Sequence, residues 1–268
     1  MGTIRQTLQS LCRPLKLPGI QEVDLDSAEA LRLHKTLIGQ KPFLRQLYRD
    51  QYAAFVQQVQ QLSTLQGRLL EMGSGGGFLK EIVPELISSD VCSGEAIDRV
   101  IDAAHLPFAE RELKGIFLLN VLHHLPQVES FLEEADRCLV RGGRVVMIEP
   151  VYSWLACRVY KNLHHEPFDE TAAMWDLPSA GGRLSRSNQA LPWIIFSRDR
   201  TLFEKRFPNL RILSIQPHTV FCFLLSGGMS WRAMAPVWSY PMFRKIDRLL
   251  STFVGLFPLF QTIILEKM

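Results

Sequence analysis

Histidines, carboxylates and glycines are the residues of this chain whose spacing suggests chemistry. His123 and His124 stand together in LLNVLHHL, and His164 and His165 in LHHEPFDE, with Glu166 and Asp169 beside the second pair. Imidazole titrates near neutral pH, so a histidine held against a bound hydroxyl can take its proton as a new bond to oxygen forms. His123, His124 and His165 are therefore the candidate catalytic residues. Each has a plainer reading. Histidines among leucines are often packed core residues, and a loop dense in titratable groups can be a solvated one with a helix cap at Asp169. Adjacent histidines match no familiar metal-ligand spacing, so no metal is expected. Glu149, closing an apolar run, would orient a histidine or an acceptor, or else cap a sheet edge.

Glycine supplies a different chemistry, that of close backbone approach. LLEMGSGGGF places Glu71, Gly73, Ser74, Gly75 and Gly77 between an apolar strand and a helix-competent FLKEIV. With no Cβ in the way, such a turn lets main-chain atoms touch a ligand. A structural loop is the alternative. A dinucleotide fingerprint would need a further glycine where Phe78 stands, and it has no carboxylate two residues before the first glycine. Two aspartates follow at strand ends, Asp90 in LISSD and Asp102 in VIDAAHLPF, with a turn or N-cap aspartate as the alternative reading of the first.

These residues need a frame. Residues 1–66 read as a helical cap: Ser27 would cap AEALRLHKTLIG, and Pro42 suits the first turn of PFLRQLYRDQYAAFVQQVQQL, whose apolar residues recur at helical spacing. From Gly67 onward the pattern is strand alternating with helix, with strands over 68–72, 86–91, 99–102, 115–120 and 143–149 and a helix over 127–140. That alternation implies a parallel sheet covered on both faces, with ligands beyond the C-terminal strand ends. Residues 150–208 read as irregular loops, followed by strands at 210–216 and 260–266. Between these lies an apolar helical insertion, 226–258. Its Trp231, Met234, Trp238, Tyr240, Met242 and Phe243 are either core or a lid over a hydrophobic acceptor, the latter touching a membrane through Arg232, Arg244, Lys245 and Arg248.

The string E-x-G-x-G-x-G after a strand, D-A-x-x-L-P-F at 102–108, N-x-x-H-H at 120–124 and RCLVRGGRVVMIEP together resemble the class I S-adenosylmethionine (SAM) methyltransferases. The closest likeness is to the small-molecule subgroup called type 11. Arg141 stands where that family usually has proline. The likeness is strong over residues 67–150. It implies a Rossmann-like seven-stranded α/β sheet of order 3-2-1-4-5-7-6 with strand 7 antiparallel, N-terminal helices and a helical insertion before the last strand. It also implies SAM as cofactor: Glu71, Gly73, Ser74, Gly75 and Gly77 at its methionine part, Asp90 at the ribose, Asp102 with Ala103 at the adenine, and Asn120 on the floor between methionine and substrate. On this reading residues 67–268 are the SAM-binding domain, with 150–208 and 226–258 as substrate-side insertions.

The expected activity is methyl transfer to a small or lipid-like molecule at oxygen; a non-catalytic accessory module of the same fold is the alternative. Composition agrees with a globular enzyme, at 47% hydrophobic and 21% charged residues. A net charge of +3 without a Lys/Arg block gives no support to nucleic-acid binding. Five scattered cysteines without a C-x-x-C pair suit a reducing, cytoplasmic setting. Residues 249–265, broken by Pro258, fall short of the roughly 20 clean apolar residues of a span, leaving only peripheral membrane contact. Oligomeric state has no signature in the sequence.

Overall fold

The computed structural model describes residues 17, 28–164, 166–177 and 186–268. Seven strands form one sheet: β1 (Arg68–Met72), β2 (Ile87–Asp90), β3 (Arg99–Val100), β4 (Leu113–Leu119), β5 (Leu139–Pro150), β6 (Leu210–His218) and β7 (Phe260–Lys267). Their order is β3-β2-β1-β4-β5-β7-β6. All neighbours are parallel except β7, which runs antiparallel to both β5 and β6. The expected fold class is thus the observed one. Buried strands such as β4, LKGIFLL, carry near-continuous apolar runs because helices cover the sheet on both faces.

Register decides where the site lies. Met72 pairs with Ser89 and Leu118, Leu119 with Ile148, and Pro150 with Phe260. The C-terminal ends of the parallel strands and the start of β7 therefore meet along one edge. β3 is shorter than the sequence pattern predicts. The Asp102 carboxylate accepts the Ala104 N–H at 3.0 Å, and this turn bends the chain away, leaving Asp102 only an isolated bridge to His105.

Helices α1 (Ala28–Gln40) and α2 (Pro42–Gln61) precede the sheet, and Ser27, the expected cap, lies outside the described residues. α2 packs Phe55 on Phe117 of β4, with ring centroids 5.3 Å apart. α3 (Phe78–Ile82) follows β1, and α4 (Val128–Cys138) joins β4 to β5. Residues 150–208 are less irregular than expected. They hold α5 (Trp154–Asn162), capped by the Ser153 hydroxyl on the Ala156 N–H, a helical turn at Leu191–Trp193 that continues into a π turn, and α6 (Arg200–Arg206). Ser153 and Pro192 act as helix starters.

The insertion before β7 is only partly helical. It follows α7 (Phe221–Ser226) and contains α8 (Tyr240–Leu250). Asp247 of α8 is buried and accepts the N–H groups of Val220, Phe221 and Cys222 at 2.7–3.0 Å, capping α7 in trans. Phe43 of α2 meets Tyr240 at 5.0 Å, so α2, α7 and α8 share a second apolar cluster.

Candidate active site

One cavity of about 1020 Å³ opens along the C-terminal strand edge. Its first half is built on the turn after β1. Gly73 (φ +65°) and Gly75 (φ +51°) take left-handed backbone conformations that disfavour a side chain. They differ in surroundings: a Cβ on Gly73 would fall 2.4 Å from Val121, whereas one on Gly75 would meet nothing within 4 Å. Gly77 packs against Ala96 and stands outside the cavity lining. The Ser74 hydroxyl accepts the Ser89 N–H at 3.0 Å and contacts the Glu71 carbonyl at 3.3 Å, so it fastens β1 to β2.

Glu71 is 1% exposed, and its Oε2 has no hydrogen-bond partner. Burial, with the Asp90 charge adding to it, pushes the Glu71 carboxyl up to about 8. Asp90 accepts the Gly75 N–H at 3.1 Å and the Val91 N–H at 2.8 Å. Burial still raises its pKa against those hydrogen bonds. Asp102, Ala103 and Asn120 line the same cavity. Asn120 sits at φ 56° with its Oδ1 buried and unpartnered.

The second half begins where β4 ends. Val121 N–H and Leu122 N–H donate to Glu149 Oε1 at 2.9 and 2.7 Å, and Glu149 Oε2 lies 2.5 Å from His123 Nδ1. Glu149 is wholly buried at the end of β5; of its two sequence readings, it orients the histidine. On the other side, His123 Nε2 is 3.3 Å from Glu166 Oε2, and His124 Nε2 is 3.7 Å from Glu166 Oε1. Gln189 Nε2 donates to Glu166 Oε2 at 2.8 Å. Burial alone would lower the pKa of His123, but the Glu149 and Glu166 carboxylates outweigh it and raise the value to about 10. His124 moves the other way, to about 4, through burial and the neighbouring His123 charge. Burial disfavours an ionised Glu166, yet the histidines around it hold its carboxyl well below the usual range.

His123 and His124 are thus brought together with Glu166 across more than 40 positions of sequence. His165 lies outside the described residues. Gln189 and His34, which lies near Asp90, escaped the sequence reading, and neither sits in a motif that would have marked it. The aromatic insertion divides. Tyr240 is core, Trp231 and Met234 line the cavity, and Trp238 is 79% exposed.

A family model described as "Methyltransferase domain", type 11, matches residues 70–147. No curated protein matches the chain in sequence. Among solved structures, it is similar to a geranyl diphosphate C-methyltransferase from Streptomyces coelicolor A3(2), at 12% identity and TM-score 0.48 over 88% of this chain and 84% of that one. A SAM-dependent methyltransferase from Archaeoglobus fulgidus aligns at 14% identity and TM-score 0.46, over 82% and 94% of the two chains. Likenesses this distant say nothing of the substrate. The family match falls on the glycine turn, Asp90, Asp102 and the β4 end, the parts that form the first half of the cavity. Residues 70–147 therefore match a methyltransferase domain, and they lie within a seven-stranded sheet of order β3-β2-β1-β4-β5-β7-β6.

Proposed function

We propose that this enzyme transfers the methyl group of SAM to an oxygen of a small or lipid-like acceptor. The observation that carries this reading is the single cavity joining the glycine turn to the histidine–glutamate cluster. At about 1020 Å³ it reaches the upper limit of ordinary ligand pockets, about 300–1,000 Å³, and leaves room for an acceptor beside a cofactor.

The first half fits SAM. Gly75 opens its backbone to the cavity, and Glu71 Oε2 and Asn120 Oδ1 are buried acceptors without a donor. We assign Glu71 with the turn of Gly73, Ser74, Gly75 and Gly77 to the methionine part, Gly77 acting from behind the turn as the cap of α3. Asp90 is assigned to the ribose, Asp102 with Ala103 to the adenine, and Asn120 to the floor beneath the reacting centre. Bound there, SAM supplies a methyl carbon on a positively charged sulfur. The protein's own task is alignment, exclusion of water and removal of the acceptor's proton. His123, whose ring is fixed by Glu149 on one side and faces Glu166 on the other, orients the cluster. His124 and Glu166 face the cavity as the groups that activate the acceptor.

Walls from 150–208 and 226–258 supply the acceptor side, through Leu163 and Gln189 of the first insertion and Gly228, Met229 and Met234 of the second. No helix among the described residues is long and apolar enough to cross a membrane. Trp154, Leu249, Phe253, Val254 and Leu256 are nevertheless exposed apolar residues, and Arg158 stacks on Trp154 at 3.7 Å. The Trp154 N–H bonds the Gly255 carbonyl at 2.9 Å and the Leu155 N–H the Leu256 carbonyl at 2.9 Å, so the start of α5 lies beside residues 255–256. We assign these exposed residues to peripheral contact with the cytoplasmic membrane face, from which a lipid-like acceptor would be drawn. Calorimetry with SAM and with its demethylated product tests the cofactor half, and absence of binding by both would overturn it. Mass spectrometry of extracts incubated with labelled SAM tests the acceptor half. Label in an O-methyl group is expected, and label only on nitrogen or carbon would refute the oxygen assignment.

A further inference from the structure

The geometry points to a divalent transition-metal site in the acceptor half of the cavity, held by His123, His124 and Glu166. One ring nitrogen from each histidine and a carboxylate oxygen lie within 4.8 Å of one another. The two histidines approach different oxygens of the carboxylate, at 3.3 Å (His123 Nε2 to Glu166 Oε2) and 3.7 Å (His124 Nε2 to Glu166 Oε1), so these edges suit a carboxylate that uses both oxygens. Metal–ligand bonds of about 2.0–2.2 Å place neighbouring ligand atoms about 3 Å apart in octahedral geometry and nearer 3.4 Å in tetrahedral. The first edge meets that spacing, and the second needs a closure of a few tenths of an ångström.

Three further features suit a metal. Glu149 Oε2 at 2.5 Å from His123 Nδ1 fixes the ring with Nε2 toward the cavity, the carboxylate–histidine support that metal-bound imidazoles use. Glu149 is itself fixed by the N–H groups of Val121 and Leu122. His124 Nδ1 is buried without a hydrogen-bond partner, so that nitrogen is not committed to a protein group. Two imidazoles and one carboxylate favour zinc, iron(II), manganese or cobalt over calcium, and three protein ligands leave a position open. All three residues line the cavity, so the open position faces it.

The use of the metal, though not the site itself, rests on the methyltransferase reading above. An acceptor hydroxyl at the open position becomes more acidic and releases its proton to solvent. Its oxygen then bonds to the methyl carbon as the carbon–sulfur bond breaks, with the sulfur keeping the electron pair. The sum is ROH + SAM → ROCH₃ + S-adenosylhomocysteine + H⁺, with no oxidant or reductant.

The test is titration of the chelator-stripped full-length protein with Co²⁺ and with Zn²⁺ alone. Visible d–d bands from bound Co²⁺, at one equivalent and displaced by Zn²⁺, are expected. E166Q should weaken binding at least tenfold, and E149Q about tenfold through His123. Melting curves and SAM affinity check that each variant folds, and H124N provides a second ligand variant if E166Q does not. Failure of the wild type to bind either ion stoichiometrically would overturn the site, as would wild-type affinity in both folded ligand variants. Metal binding in a protein that fails to bind SAM would leave the site standing and remove the methyltransferase reading.

Discussion

The two halves of the cavity are made from different materials. The half assigned to the cofactor is mostly backbone: left-handed glycines, N–H groups facing Asp90 and a carboxylate two residues before the turn, nearly all within residues 71–104. The acceptor half is mostly side chain, with His123, Glu149, Glu166 and Gln189 meeting from four separate stretches. Backbone cradles depend on local conformation and tolerate few residue types. Side-chain clusters depend on the global fold and can be changed one residue at a time. A family can therefore keep its cofactor while its acceptors diverge.

Substitutions can set the two halves against each other. The largest effect is expected from E149A, which leaves two N–H groups and a buried imidazolium without their carboxylate. Breaking a buried pair in this way costs about 3–5 kcal/mol, read as a large fall in melting temperature, whereas E149Q keeps an acceptor for both N–H groups and should lose less. G73A comes next. A left-handed alanine costs about 1–2 kcal/mol, the contact with Val121 adds about 1–3 kcal/mol, and SAM affinity by calorimetry should fall roughly 100-fold. G75A meets open space, so its loss should appear in SAM affinity far more than in melting temperature. If both glycine variants behaved alike, the distinction between packed and open turn positions would be wrong.

A pH titration gives a smaller and more diagnostic effect. Glu71 is raised from 4.5 to about 8 chiefly by burial. The folded state therefore binds this proton more tightly than the unfolded state, and stability without cofactor declines as pH rises from about 4.5 to about 8. A cation bound beside Glu71 favours its ionised form. SAM affinity should then climb with pH, by up to about tenfold per unit, and level off above about 8, with proton release seen by calorimetry in buffers of differing ionisation enthalpy. E71Q should flatten the profile. Smallest of all, W154S/F253S should reduce partition onto anionic vesicles a few-fold in a co-sedimentation assay while leaving SAM affinity unchanged.

How much of this was legible in the sequence follows the same division. The Arg68–Met72 strand, the glycine turn and the two strand-end aspartates are neighbours in the chain, so motif and alternation place them in the fold without tertiary information. Strand order came from resemblance, because hydrophobic period fixes which residues form strands but not which strands pair. The helices within 150–208 were hidden by their own caps: Ser153 and Pro192 read as loop signals until the segments they start are seen. Glu166 was noticed as part of a polar loop, but its meeting with His123 requires α5 to fold back over the strand ends. Gln189 carries no local signal at all.

Val121 stands between the halves. Its side chain fills the space against Gly73, and its N–H is held by the carboxylate that orients His123. A ligand that displaced Val121 from either side would disturb both contacts together. Any factor by which a bound cofactor tightens the hold on the acceptor side must be returned unchanged when the ligands arrive in the opposite order. A heterotropic coupling constant, measured from either side, is the quantity that tests whether the Gly73–Val121–Glu149 contact links the two halves.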